Sequence, residues 1–587
     1  MTVLTYHELK QLLAAWRPEA EWARPKDPSH GLLASSLAFR QSKLDHASPM
    51  ETAKSLATSL TAYLDEHELS AYEVVVMGPY LNLKLRRSAY TDLSETISAQ
   101  PLTFATERTV MLEYVGANVA KRFHAGHMRN LNIGEALRRL LKDKYGSGLI
   151  TDNHWGDWGV QFGIILWAYQ ENLDVAAYAD DPMSELQRLY VWGNAQKEVV
   201  SGWDELVRNE FVKLEQGDAT NRKLWQEFVT ISKAELANEL PLLGVPPTDL
   251  ELGESYYEDR MKELTEFLNH EQLWKSEGNA RYFDLPELDD AFASFGRCYL
   301  ISSNGYTTYA YRDVAARLEW ALSYNIQTAI TITDKTQEHN FHQAFAIITW
   351  LAKNKAFITQ YGVEVTERLT PNALVHVGYG FLSLTSGKMS TRQGNVLRMA
   401  QLIDEVTEAA GVELTRRDPS LSTEERARRA RIVAVASLKW ADLNRDPSTD
   451  VVLDPERVIA FEGNTGTYQL YTYARLKSVV RRAAVEPVDE TEAPSAVAAY
   501  TPAEETLLSL CYAFPDVCEQ AAREYRPNLV TTAIAELTAR TSKWYESTSV
   551  LKAEARRREL LVALCITVSE TLARGLELLA IEVLEEL

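Results

Sequence analysis

Residues 108–152 constrain the fold more than any other stretch of the chain. Arg108–Val115 is an apolar, β-branched run of strand character. A loop, GANVAKRFHAGH, follows it, then a pattern of helical period over Met128–Lys144, then a second short strand, Leu149–Asp152. Strand, helix, strand in so short a span predicts a parallel βαβ unit, because parallel strands need a crossover connection.

The rest of the chain arranges itself around this unit. Residues 1–105 read as a small α+β domain, with helices at Tyr6–Trp16 and Thr52–His67 and strands at Glu73–Met77 and Tyr80–Leu85. The Pro-rich RPEAEWARPKDP reads as a loop and SAQPLTFATE as a linker. Residues 106–400 read as an α/β domain interrupted at about 162–270 by a Trp-rich helical insertion. Strand character returns at Arg281–Phe283, Cys298–Ile301, Tyr306–Tyr311, Thr328–Thr333 and Leu374–Tyr379, all expected to extend one parallel sheet. Beyond residue 400 strand signals vanish. Ile432–Leu443, Tyr468–Ala483, Pro502–Tyr512 and Glu554–Leu579 carry apolar residues at helical spacing, so 401–587 is expected to be all-α.

Composition excludes several classes. With 46% apolar and 24% charged residues, neither disorder nor a fibrous chain fits. No apolar run of about 18 residues is present, so no membrane-spanning helix is expected. The start carries Glu8 and has no basic region before an apolar one, unlike a secretory signal. Four cysteines without a C-x-x-C pair argue against a disulfide framework or a structural metal and for a reducing, cytoplasmic setting. Lys and Arg number 61 against 82 acids, a net charge of −21. That balance alone argues against a nucleic-acid partner. Phosphate binding, however, needs only a local basic stripe.

Two motifs carry chemistry. His124-Ala125-Gly126-His127 lies between strand and helix, where free N–H groups and the positive end of the helix dipole favour phosphate. Both imidazoles can donate to phosphate oxygens, and Gly126 leaves room for a purine. Far along the chain, Gly387-Lys388-Met389-Ser390-Thr391-Arg392 has the composition of a loop suited to closing on phosphates. Lys388 would neutralise charge developing as pyrophosphate leaves. Alone, the first is a four-letter coincidence and the second a solvated turn.

Together they resemble the paired signature of class I aminoacyl-tRNA synthetases, and the resemblance runs from about residue 108 to the end of the chain. LEYVGANVAKRFHAGHMRN, NHWGDWGVQFG, GYTTYAYRDVA, TDKTQEHNFHQAF and EGNTGTYQLYTYAR are similar to the arginyl-tRNA synthetase versions of these segments. The resemblance implies a Rossmann-like catalytic domain with a parallel sheet and helical insertion, an all-α anticodon-binding domain and an N-terminal domain that contacts the tRNA elbow. It implies ATP with Mg²⁺, L-arginine and tRNA(Arg) as substrates. It implies ATP contacts from His124, Gly126, His127, Lys388 and Ser390, and an arginine site of Glu113, Asn118, Tyr309, Asp313 and Gln337. Physical chemistry agrees: a planar, permanently charged guanidinium prefers carboxylates in bidentate geometry. Asp313 is expected at a strand-to-helix junction, and Glu113 at the carboxyl edge of the sheet, where α/β ligands bind. Some members place a lysine just before the first motif; this chain has both Lys121 and Lys388, with the main role expected of Lys388.

Arg-rich helical stretches, including Arg428, Arg429, Arg475 and Arg481, are candidate tRNA contacts. The family's frequent Pro-Glu-Arg-Met ending is replaced by AIEVLEEL. The resemblance also suggests that tRNA must bind before the adenylate forms. A monomer is expected, since no exposed apolar seam is evident. The competing readings are a synthetase for another amino acid, a small-molecule nucleotidylyltransferase, and a non-catalytic tRNA-binding or regulatory paralogue.

Overall fold

The computed structural model describes residues 2–385, 397–455, 457–485 and 499–587. They form two compact units: Thr106–Val406 with Arg445–Pro455, and Met1–Ala105 with Thr407–Asn444 and Glu456–Leu587.

The first unit is built on a four-stranded parallel sheet. Its strands are β1 (Val110–Glu113), β2 (Leu149–Asp152), β3 (Thr328–Asp334) and β4 (Leu374–Tyr379), in the order β4-β3-β1-β2. The crossover from β1 to β2 is helix α1 (His127–Tyr145), which ends on Gly146 at a φ of 53°. Helix α1 is buried around most of its circumference, polar residues included. Gly134 lets it pass the ring of Tyr114, since a Cβ there would lie 2.2 Å from that side chain. Asn130 uses both ends of its amide: it accepts from the Val115 N–H at 2.9 Å and donates to the Ile332 carbonyl at 3.0 Å. It thereby pins the chain leaving β1 to strand β3. A main apolar core, including Met111, Val314, Leu318, Ala329 and Ile347, joins the sheet to the helices that cover it.

The helical insertion spans Val160–Asn172 to Glu258–His270 and has its own small core of Ile164, Trp167, Leu189, Trp203 and Val207. Three expectations are corrected here. Arg281–Phe283 and Cys298–Ile301 do not extend the parallel sheet; with Lys275–Glu277 they form a separate antiparallel meander. The two-residue Gly278-Asn279 connection, with Gly278 at a φ of 58°, can only return the chain antiparallel. Tyr306–Tyr311 is not a strand. Helix α2 (Tyr309–Ser323) begins inside it because the Thr308 hydroxyl caps the Tyr311 N–H. Finally, Val451–Leu453 is a short strand, paired in parallel with Leu382–Leu384. Three residues are too few to reveal a period of two.

The second unit joins the N-terminal region to the C-terminal helices. Its four-stranded antiparallel sheet runs Trp22–Ala23, Leu33–Ser35, Tyr80–Leu85, Tyr72–Met77, so the Pro-rich stretch expected to be a loop contributes an edge strand. Helix Tyr6–Trp16, closed by a Thr5–Glu8 capping box, packs its Tyr6 edge-on to Tyr512 and pairs Lys10 with Asp516 at 2.7 Å. Helices Leu37–Leu44, Pro49–Glu66 and Tyr90–Ala99 complete the N-terminal region, and Thr423–Leu443, Gly466–Val485, Pro502–Tyr512, Phe514–Glu524, Asn528–Ser547 and Ala555–Leu578 form the C-terminal helices.

Candidate active site

The sheet order places the reversal of winding between β1 and β3, and the crevice outside their carboxyl ends is where an open α/β sheet binds ligands. Strand register sets His376, Thr331, Glu113 and Asp152 side by side across β4, β3, β1 and β2 at that edge. The loop leaving β1 is strained: Val115 and Ala120 have φ of 76° and 60°, unusual for residues with a Cβ. The structure holds them there from several sides. Asn130 binds the Val115 N–H, Ser232 accepts from the Ala120 N–H at 2.9 Å, and Glu239 accepts from the Phe123 N–H at 3.2 Å. Arg122 reaches Glu235 at 2.5 Å and Asp181 at 3.0 Å. The insertion helices therefore buttress the loop that carries the first motif.

Within that motif the two histidines are oriented by the backbone. The Nδ1 of His127 accepts from the His124 N–H at 3.0 Å, and the Nδ1 of His124 accepts from the Gly126 N–H at 3.0 Å. Burial first, and then Lys121, lowers the His124 pKa to about 4. Burial, followed by His124 and Lys121, also holds His127 well below its ordinary value. Both rings are therefore neutral near pH 7. With Nδ1 accepting, each carries its proton on Nε2 as a donor. Gly126 fits where a Cβ would sit 2.8 Å from the His124 ring. Lys121 lies with its amine 4.6 Å from the centroid of the Tyr190 ring on the insertion.

Lys388 and Ser390 lie outside the described residues. The chain on the far side of that segment is stitched directly to the first motif. The Ala125 N–H donates to the Leu397 carbonyl at 3.0 Å, and the Met399 N–H to the Phe123 carbonyl at 3.0 Å.

The acidic side of the crevice is organised by an arginine that sequence reasoning passed over. Asp313 is one helical turn from Tyr309 on α2, not at a strand-to-helix junction. One turn further, Arg317 donates to Asp313 at 3.0 Å and to Glu113 at 3.0 Å. Burial, opposed by Arg317, raises the Asp313 pKa to about 7. A second acid joins them: Glu254, buried, lies 3.2 Å from Arg312, and burial raises its pKa to about 8 against that guanidinium. Asp313 and Asp157 add to the rise. Tyr309 is largely exposed and donates its hydroxyl to Gln161 at 3.0 Å. Asn118 and Gln337 hold other partners. Asn118 pairs with Gly156, where a Cβ would lie 2.4 Å from its Oδ1, and exposed Gln337 donates to Asp334 at 3.1 Å. The Asp–Arg spacing of four on one helix was the available signal for Arg317; Glu254 has none in the sequence.

The residues 93–454 match the family model described as the class I tRNA synthetase (R) catalytic domain, and 469–587 match the DALR anticodon-binding domain. The chain belongs to the arginyl-tRNA synthetase family. An arginine–tRNA ligase of Fusobacterium nucleatum is 30% identical, over 81% of this chain and 80% of that protein. One of Streptococcus uberis is 30% identical, over 96% and 95% respectively. The Thermus thermophilus arginyl-tRNA synthetase structure has the same fold, with a TM-score of 0.76 and 22% identity over 99% of this chain and all of that one. The fold expected of an arginyl-tRNA synthetase, a parallel-sheet catalytic domain and a helical anticodon domain, is the one observed.

In the second unit of this synthetase the expected basic contacts are already partnered. Arg428 and Arg429 pair with Glu425 at 2.9 and 2.6 Å. Arg481 meets Glu585 and Glu586 at 3.4 and 3.1 Å, and Arg475 lies over the rings of Tyr471 and Tyr545. Among the described residues no group of three His, Cys, Asp or Glu side chains gathers as a metal site, and no helix is long and apolar enough to cross a membrane. The four cysteines form no disulfide with one another and are buried.

Proposed function

We propose that the crevice at the carboxyl edge of the sheet activates L-arginine with ATP, and that the arginyl group then passes to the 2′-OH of the terminal adenosine of tRNA(Arg). The chain is a class I, ATP-dependent arginine–tRNA ligase by family. What is proposed is how its residues divide the work. The arginine carboxylate attacks the α-phosphate in line and pyrophosphate leaves. Such a step needs positioning and charge stabilisation, with no protein nucleophile. His124 and His127 donate Nε2–H to phosphate oxygens from the start of α1, where the helix dipole adds to them. Gly126 gives the adenine its approach. Lys388 takes the charge that builds on the leaving pyrophosphate, with Ser390 a further ATP contact and Lys121 assisting. Mg²⁺ would accompany the nucleotide and would supply further neutralisation of its phosphates.

Asp313 and Glu113, joined by Glu254, receive the substrate guanidinium, Asn118 takes its α-amino or carboxylate end, and Tyr309 and Gln337 line the slot. The observation that carries this reading is that Glu113 and Asp313 already grip a guanidinium, that of Arg317, in a buried setting. Lysine would leave such fork-shaped acceptors unpaired. The helical domain would read the anticodon, with Arg428, Arg429, Arg475 and Arg481 near the tRNA backbone, and residues 1–105 would meet the tRNA elbow. We also propose a cytoplasmic monomer that forms the adenylate only with tRNA bound.

ATP–pyrophosphate exchange with each of the twenty amino acids, with and without tRNA, tests the reading. Exchange confined to arginine and dependent on tRNA is expected; exchange with another amino acid overturns the assignment. In the same assay Lys388→Ala is expected to slow exchange roughly a hundredfold, the usual cost of one transition-state contact. Lys121→Ala should cost less, because its amine is already shared with Tyr190. The reverse order would reassign the phosphate lysine.

A further inference from the structure

Arg317 is the least exposed charged group of the acidic crevice, with 1% of its side chain accessible. Its fork joins three elements. One terminal nitrogen donates to Glu113 Oε2 at the end of β1 and to the Thr331 hydroxyl on β3, at 3.0 and 2.5 Å. The other donates to Asp313 Oδ1 on its own helix at 3.0 Å. Thr331 in turn donates to the same Glu113 oxygen at 2.8 Å. The guanidinium is walled by aromatic rings, 4.6 Å from the centroid of Trp320, 5.5 Å from Phe341 and 5.8 Å from Phe345. It is thus fixed by packing as well as by hydrogen bonds. Its contacts use one oxygen of each carboxylate, so Oδ2 of Asp313 and Oε1 of Glu113 are not taken by it.

We propose that Arg317 is the positioning residue of the arginine pocket: it binds the inner oxygens of Glu113 and Asp313, places a cation between the two carboxylates, and leaves their outer oxygens to the substrate. This rests on the assignment of Glu113 and Asp313 to arginine made above. Two buried carboxylates that share a site do not both ionise without a compensating cation; one of them keeps a proton. A protonated Asp313 offers a substrate guanidinium no charge, and its O–H competes as a donor. The other groups around the pair do not substitute for Arg317. Asp313 faces Glu113, Arg312, Glu254 and the Cys298 thiol. Arg312 is engaged with Glu254. Glu113 faces Asp152, His154, His376 and the Tyr257 hydroxyl. Burial raises Asp152 to about 8 and lowers His376 to about 4, while His154 is lowered too, so these three are uncharged near pH 7. Arg317 is the cation in direct contact with both acids.

The test uses the full-length protein with tRNA in pyrophosphate exchange, reading KM for arginine, KM for ATP and kcat between pH 6 and 8.5. Arg317→Met is expected to raise KM for arginine roughly ten- to a hundredfold, the loss of charge-assisted hydrogen bonds, with KM for ATP within about threefold of wild type. The acid limb of the arginine KM should move up by about one pH unit, because the cation that favours ionised Asp313 is gone. Arg317→Lys keeps the charge but not the fork. Its acid limb should stay near the wild-type position while KM for arginine still rises. A purely structural Arg317 would lower the melting temperature and move both KM values together without moving the limb, and that result overturns the proposal. If Arg317→Met does not fold, Arg317→Lys decides: an unchanged KM for arginine overturns the proposal. Should wild type not exchange with arginine at all, the pocket assignment itself fails. Should wild type exchange while both variants keep its arginine KM and pH limb, only the positioning role fails.

Discussion

The same pair of groups, a guanidinium and a carboxylate, is used in two opposite ways in the two units of this protein. In the α/β unit, Arg317 binds Glu113 and Asp313 with side chains 1%, 8% and 14% exposed. In the helical unit, Arg481 meets Glu585 and Glu586 with side chains 39%, 59% and 63% exposed. Water screens the second set and leaves it worth little, whereas removing one partner of the first leaves an uncompensated buried charge. Buried pairs therefore fix the shape and charge of a site. Exposed pairs leave their cations in water, where a phosphate could compete for them.

The largest effect expected from this contrast is at Asp313. Asp313→Asn removes a charged acceptor from the proposed guanidinium slot and leaves one arm of Arg317 on a neutral amide in place of a carboxylate. It should lower kcat/KM for arginine about a thousandfold, by analogy with the 3–5 kcal/mol cost of breaking a buried pair. An effect under tenfold, measured by pyrophosphate exchange, would place Asp313 on the exposed side of the comparison.

A smaller effect is expected from pH. Burial pushes Asp313 up to about 7, and in the proposed slot it is the ionised form that would receive the substrate guanidinium. KM for arginine should therefore be flat above about pH 9 and rise as pH falls, first as Glu254 takes its proton near 8 and then more steeply as Asp313 does near 7. The phosphate site behaves oppositely. His124 titrates at about 4 and stays a neutral Nε2 donor throughout, so KM for ATP should hardly change from pH 6 to 8.5. A shared acid limb for both substrates would refute the separation.

The smallest effect belongs to the exposed set. In the double variant Glu585→Gln with Glu586→Gln, Arg481, Arg429 and Lys477 lose anionic partners. Binding of tRNA(Arg), followed by filter retention, should tighten by roughly twofold to fivefold at low salt, and the gain should vanish above about 0.3 M salt as screening sets in. The melting temperature should stay within a degree or two. Weaker tRNA binding would mean that the acids, and not the arginines, face the nucleic acid.

Much of this arrangement was legible from local signals. The run Val110–Glu113, the helix behind His127 and the capped helix Tyr6–Trp16 each announce themselves through periodicity or a cap, because those signals act between residues only a few positions apart. The His124–Gly126–His127 loop was legible for the same reason: strand, loop and helix start are contiguous. The meander at 275–301 and the helix start at Tyr309 were misread. Tyr and Thr both favour strands while Thr also caps helices, and only the Thr308 hydroxyl bound to the Tyr311 N–H decides between the two.

The sequence by itself determined most of the two units' local elements, the loop proposed to bind phosphate and, through resemblance, the chemistry of arginine activation. Only the tertiary structure decided which acid meets which cation. Glu113 and Arg317 are 204 positions apart and meet because β1 and β3 are neighbours in the sheet with Glu113 level with Thr331. Pairing across a sheet depends on strand order and burial, neither of which leaves a trace in the periodicity of the strands themselves, so Arg317 and Glu254 enter the account of the site only once the fold is known.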